Sequence, residues 1–218
     1  MISENFRDIV HKSYNSDPDY KQTLSGLPEN YKEIRTLEDL LSINYKHASV
    51  NDQLRGNLIT KLKAQQFPYS GIIGYDDDII PSLNRAILSS HDMLLVGQIG
   101  QAKTKIAETV AKNLLSPIPI VEGSITNDIP TLIPENELVT LLDDKEITRS
   151  RPEFYVSTET EDNIRNNRLD TKIAWIDVPS RDKYLLATPD ISVKDLVGQI
   201  DAIKIAKRGV EIYNMESY

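Results

Sequence analysis

The sequence predicts an α/β protein in which a parallel-sheet core follows an N-terminal helical segment, and three observations carry that expectation. The apolar run DMLLVG, residues 92–97, ends in a glycine turn that opens an amphipathic helix through Ile106, Val110 and Leu114. A second apolar run, IPIVEG from Ile118, follows that helix, and strand, helix, strand is the order of a parallel crossover. The first 65 residues, by contrast, carry helical signals joined by polar turns.

Taken in chain order, LSGLPEN between Leu24 and Asn30 reads as a linker. Thr36 with Asp39 before Leu40 and Leu41 is a helix-start signal. Ser49 and Asp52 repeat it, with Leu54, Leu58, Ile59 and Leu62 at helical spacing on one face. In QFPYSGIIGYDDD, Pro68, Gly71 and Gly74 interrupt the helical period, which places a boundary between an N-terminal helical region, 1–65, and a second region, 66–218.

Asp76, Asp77 and Asp78 then stand where a helix N-terminus favours acids, with Ile80, Leu83 and Ile87 facing inward and Pro81 tolerable only in the first turn. DMLLVG follows as a buried strand, then the glycine turn and its helix, then IPIVEG as another strand of the same parallel sheet. Residues 126–171 are polar and without clear period, and read as an insertion. IAWID, from Ile173 to Asp177, is a further strand, and Ser192 with Asp195 marks a last helix start.

Composition excludes several kinds of chemistry. The 218 residues hold no cysteine, so thiolate nucleophiles, disulfides and cysteine zinc sites are ruled out. His11, His47 and His91 lie far apart and without a second ligand at metal spacing, so they read as solvated or locally bonded side chains. A formal charge of −8 argues against a nucleic-acid partner. No apolar run reaches the roughly 20 residues that span a bilayer, and the N-terminus MISENFRDIVHK, acidic early and without a long apolar core, does not read as a secretory signal. The expected setting is the cytoplasm, with no membrane partner.

Gly97-Gln98-Ile99-Gly100-Gln101-Ala102-Lys103-Thr104 fits the phosphate-loop pattern G-x-x-x-x-G-K-[ST], except that Ala102 replaces the last glycine. Phosphate binding needs backbone N–H groups converging at a helix start, a flexible ammonium, and a hydroxyl that joins a magnesium shell. Gly100, Lys103 and Thr104 provide these means. Ala102 is compatible with helical dihedrals and harmful if a positive φ is required.

The stretch GIIGYDDDIIPSLNRAILSSHDMLLVGQIGQAKTKIAETV resembles the opening of the AAA+ core of P-loop NTPases, in magnesium-chelatase ATPase subunits and MoxR-like relatives, including a branch whose loop reads GQAKT. LATPDISVKDLVGQIDAIKIAKRGVEIYN is similar to the segment before that family's second catalytic strand. The resemblance covers roughly residues 49–214. It implies ATP and Mg²⁺ as ligands, with Gly97, Gln98, Gly100, Gln101, Ala102, Lys103 and Thr104 around the phosphates. Lys103 would reach the β- and γ-phosphates and Thr104 the magnesium, while Ile73, Gly74 and Tyr75 match the loop that borders adenine.

The same resemblance implies a homo-oligomeric ring that remodels a partner, by metal insertion or as a MoxR-like chaperone beside a von Willebrand A type protein. It also implies a chain that stops at NMESY, just before the family's Walker B strand, so little hydrolysis is expected from this chain alone. No acidic pair for water activation is legible: IAWID ends in Asp177, but Val178 stands where glutamate should be. Two other readings are a non-catalytic nucleotide-binding or protein-interaction module, and a small P-loop kinase using Asp177 and the acidic insertion.

Overall fold

The computed structural model describes residues 5–18, 27–145, 156–181 and Ser192, together with the backbone of two short strands at 199–200 and 213–214. The chain is α/β, dominated by helices, with short antiparallel strand pairs. Helix α1 spans Asn5–Asn15, α2 Leu37–Ser42, α3 Val50–Lys63, α4 Ile79–Leu88 and α5 Lys103–Leu114. Strand β1, Ile118–Val121, comes next, then α6 at Glu135–Leu142 and α7 at Thr158–Asn167. Strand β2, Ile173–Ile176, leads into the one-turn α8, Val178–Arg181, and β3, Gln199–Ile200, pairs with β4, Tyr213–Asn214.

The helix starts read from the sequence are built as hydrogen bonds. At α2, Thr36 Oγ1 accepts the Asp39 N–H at 3.1 Å and Asp39 Oδ2 accepts the Thr36 N–H at 3.1 Å, a reciprocal capping box. At α3, Ser49 Oγ accepts the Asp52 N–H. Pro81 falls in the first turn of α4, where its missing N–H leaves no bond unmade, and Ile80, Leu83 and Ile87 are buried. The Ser192–Asp195 helix start lies outside the described residues.

Helix α3 turns a different face inward from the one its leucines suggested. Gln53, Asn57 and Leu58 are buried, Leu54 and Ile59 are half-buried, and Leu62 is exposed. The polar pair is affordable there because each amide has partners. Gln53 Nε2 donates to Ala48 O at 2.7 Å, while Asn57 Nδ2 donates to Leu114 O at 2.9 Å and to Ser116 Oγ at 3.1 Å.

Two apolar clusters form the interior. The first takes Phe6 and Val10 from α1, Leu37, Leu40 and Leu41 from α2, Val121 and Ile173 from the strands, and Leu138, Leu141, Leu142 and Ile164 from α6 and α7. The second joins Leu58 of α3, Tyr69 and Ile72 of the following loop, Ile80, Leu83 and Ile87 of α4, and Ile106, Val110 and Leu114 of α5. The cores therefore draw on residues from both sides of position 65. Residues 126–171, expected as an irregular insertion, contribute α6, α7 and several of the most buried side chains of the first core.

The strands depart from the expected parallel sheet. IPIV and IAWI do form strands, but they pair with each other antiparallel, Ile118 opposite Ile176 and Val121 opposite Ile173. Two helices, α6 and α7, stand between the strands in the chain, rather than the single crossover helix of a parallel unit. The other edge of β2 is occupied by residues 35–37: the Ile173 N–H donates to Arg35 O and the Leu37 N–H to Thr171 O, both at 2.9 Å.

DMLLVG was expected as a buried strand of the same sheet and is not one. Among the described residues, no ladder includes positions 92–97, and Leu94 and Val96 are 87% and 84% exposed while Leu95 packs against the second core. With β1 and β2 committed to each other and to residues 35–37, no neighbouring strand among the described residues meets this run.

Candidate functional site

The loop between Gly97 and Thr104 enters α5 through a left-handed stretch. Gly100 has φ 87° and Ala102, at the N-cap position, has φ 53° and ψ 20°. Ala102 thus stands on the unfavourable side of the two cases set out from the sequence: its methyl group meets a left-handed backbone, which a glycine would take without strain. No side chain caps α5, so the N–H groups of its first turn face outward without the hydroxyl partner that α2, α3 and α7 each receive. Helices α4 and α6 also lack a side-chain cap, so that feature alone is not distinctive.

What distinguishes α5 is the loop in front of it. Lys103 Nζ folds back and donates to Gly97 O at 2.9 Å and to Gln98 O at 2.7 Å, bridging the first two residues of the loop. Gln101 reaches into the same curve, its Oε1 accepting the Gln98 N–H at 2.8 Å. Thr104 is exposed beside them in the first turn of α5. The predicted phosphate-loop residues are therefore gathered at one helix start, with the ammonium and the amide both turned into the loop.

The predicted base-bordering residues are only partly brought to it. Gly71 and Gly74, with φ 83° and 82°, bend the chain between α3 and α4. Tyr69 anchors that bend: it is buried, its hydroxyl donates to Asn84 Oδ1 at 2.5 Å, and burial pushes its pKa up to about 12. Asn113 Nδ2 of α5 donates to Pro68 O at 2.8 Å and ties the bend to that helix. The outcome places Tyr75 against the loop, its hydroxyl donating to Gln101 O at 3.3 Å, while Ile73 points to solvent.

A half-open cavity of about 370 Å³ lies beside this meeting point, lined by Tyr75, Ile79 and Leu83, by Met93 and Leu95, and by Gln101 and Lys103 of the loop. Its size and mostly apolar lining with a few polar groups suit a small organic ligand. Ile73 and Gly74 do not line it.

Mg²⁺ fits this loop only in a limited way. Among the described residues no three His, Asp or Glu side chains gather as a metal group, so protein ligation would come from the Thr104 hydroxyl, with phosphate oxygens and water completing an octahedron. Asp177, the acid that ends IAWID, is engaged elsewhere: its carboxylate accepts from Lys32 Nζ at 3.0 Å and from Tyr31 Oη at 2.8 Å, and these two bonds hold it below the usual carboxylate range. Tyr31 also meets Trp175 edge to face, with ring centroids 5.0 Å apart, in the first core.

Among the three histidines, His11 lies 2.8 Å from Glu135, linking α1 to α6. His47 is half-buried, and burial together with the nearby Arg181 charge lowers its pKa. Compared with protein-family models, curated proteins and solved structures, the chain finds no match in any of the three.

Proposed function

We propose that this chain binds Mg-ATP through Gly97–Thr104, as the nucleotide-gripping part of an AAA+ ATPase similar to magnesium-chelatase ATPase subunits and MoxR-like proteins. One observation carries the reading: Lys103 begins a 12-residue helix with no side-chain cap and turns back over a loop made left-handed at Gly100 and Ala102. Such a loop concentrates N–H donors, the positive end of a helix and a mobile ammonium on one spot, and phosphate is the group that all three favour.

On this reading Lys103 would hold the β- and γ-phosphates in place of Gly97 O and Gln98 O, and the Thr104 hydroxyl would be a ligand of the magnesium. The base would lie towards Tyr75 and the cavity lined by α4. A parallel P-loop sheet that takes in 92–97 belongs to this proposal; the run itself packs Leu95 against the second core and leaves Leu94 and Val96 exposed. Ring formation and remodelling of a partner, whether by metal insertion or beside a von Willebrand A type protein, belong to the same proposal.

Calorimetric titration of the chain with Mg-ATP, beside Lys103→Ala, tests the binding claim. Binding that disappears in the variant is the expected result, and equal heats from both proteins would sink it. A second reading, binding without turnover, is favoured by the commitment of Asp177 to Tyr31 and Lys32. Phosphate release that stays at the buffer blank while Mg-ATP binds supports that second reading; a Lys103-dependent release rate selects the ATPase.

A further inference from the structure

We propose that the side chain of Gln101 is an internal competitor for the phosphate seat, an inference that rests on reading Gly97–Thr104 as a phosphate loop. Gln101 directly follows the left-handed Gly100, so its side chain is carried back across the loop rather than along α5. Its Oε1 accepts the Gln98 N–H at 2.8 Å, and it lies so close to Gly97 that a Cβ built there would stand 2.2 Å from the same oxygen. Only a glycine at 97 lets the amide in this far.

The result is an oxygen acceptor already seated on a loop N–H, that of Gln98, a donor that a phosphate oxygen entering the loop would also take. Lys103 completes the arrangement by spending its ammonium on Gly97 O and Gln98 O. The Gln98 N–H and the Lys103 ammonium are thus engaged internally, and a phosphate must displace both contacts. The side chain is free to leave because it is exposed, while its backbone stays in place through the Tyr75 hydroxyl on Gln101 O.

An anionic oxygen makes charge-assisted hydrogen bonds roughly twice as strong as those of a neutral amide, so phosphate wins the exchange. The apparent affinity is nevertheless reduced by the fraction of chains in which the amide occupies the loop. A net hydrogen bond of ordinary strength corresponds to roughly a two- to tenfold reduction.

The test titrates the full chain with Mg-ATP and with inorganic triphosphate, comparing wild type with Gln101→Ala, Gln101→Asn and Lys103→Ala. Gln101→Asn keeps an amide but is one methylene too short to reach the Gln98 N–H, so both Gln101 variants are expected to bind roughly two- to tenfold tighter. The ¹⁵N resonance of Gln98 should shift in both before any ligand is added. Unchanged or weaker binding in both, with Lys103→Ala still abolishing it, overturns the competitor and leaves the phosphate loop standing. Absence of Lys103-dependent binding in every protein overturns the loop reading and the competitor with it. Because Gln101 packs into neither core, an unchanged melting temperature certifies the variants as folded.

Discussion

At the scale of single residues, two side chains are set against their surroundings in opposite ways. Ala102 sits at φ 53° in the turn that opens α5. A left-handed backbone costs a residue with a Cβ about 1–2 kcal/mol, whereas glycine adds about 0.4–1 kcal/mol of chain entropy to the unfolded state. The difference predicts that Ala102→Gly stabilises the chain by roughly 0.5–1 kcal/mol, readable as a higher denaturation midpoint with unchanged slope; a loss of stability would show that the loop does not hold this turn. Asp128 is the contrary case. It is buried, yet its carboxylate accepts from Thr126 Oγ1, the Ser157 N–H, Ser157 Oγ and Thr160 Oγ1 at 2.6–3.0 Å. Burial works to raise its pKa, but these bonds from Ser157, Thr160 and Thr126 together hold it below the ordinary 3.8. A depressed carboxylate lends stability that is present above the unfolded pKa and lost as pH falls through the folded one. Asp128→Ala should cost about 2–3 kcal/mol at neutral pH, since four donors lose an ionised acceptor at the start of α7, and its penalty should shrink in acid. A penalty independent of pH would assign the role to packing instead.

At the scale of elements, local signals were legible and directions were not. The caps Thr36–Asp39 and Ser49–Asp52 read correctly because a hydroxyl and an acid three residues apart satisfy N–H groups within one turn, with no help from the rest of the chain. The amphipathic faces of α4 and α5 were readable for the same local reason. The inward face of α3 was not, because Gln53 and Asn57 are acceptable inside only through partners at Ala48, Leu114 and Ser116, far along the chain or fixed by its fold. Leu138, Leu141 and Leu142 have helical spacing within ENELVTLL, a signal that could have marked α6 inside the supposed insertion. Strand direction is a property of the connection and not of the four apolar residues, so β1 and β2 could be found but not oriented. In the site, Lys103 and Gln101 were legible as loop members, while the bond from Gln101 to Gln98 depends on the turn at Gly100 and left no trace in the pattern. The link between α2 and α3 carries its own prediction. His47 is half-buried with Nδ1 unpartnered, and burial first, then Arg181, lowers its pKa from 6.5. The unfolded chain takes up that proton more readily, so stability is full above about pH 6.5 and declines as pH falls below it. Replacing His47 by Gln should flatten the midpoint between about pH 7 and pH 5; an unaltered slope would remove His47 as the source.

At the scale of the whole molecule, two cores must be made to unfold together, and Arg181 is placed to do it. Strand β2 belongs to the first core, and α8 follows it directly, ending in Arg181. The guanidinium leaves that core behind and donates to Gln53 Oε1 of α3 at 2.7 Å and to Ser116 O just after α5. Gln53 Oε1 in turn accepts the Ser116 N–H, so one arginine closes a ring of polar groups beside the second core. Backbone connections also join the cores, from α2 into α3 and from α5 into β1. Truncating Arg181 removes bonds worth about 1–3 kcal/mol and leaves a buried carbonyl short of a donor. Trp175, the only tryptophan, reports on the first core alone, packed between Tyr31 and Tyr45 with its indole N–H on Ile34 O at 3.0 Å. For the same reason its fluorescence is expected to stay silent when a ligand enters the phosphate loop. Wild-type denaturation followed by Trp175 fluorescence and by helical circular dichroism should coincide, the mark of a single cooperative transition. In Arg181→Ala the two should separate, helices α3 to α5 melting at lower denaturant while Trp175 keeps its environment. Curves that shift together by the same amount would instead mean that the chain connections suffice to couple the cores, and that Arg181 adds stability without cooperativity.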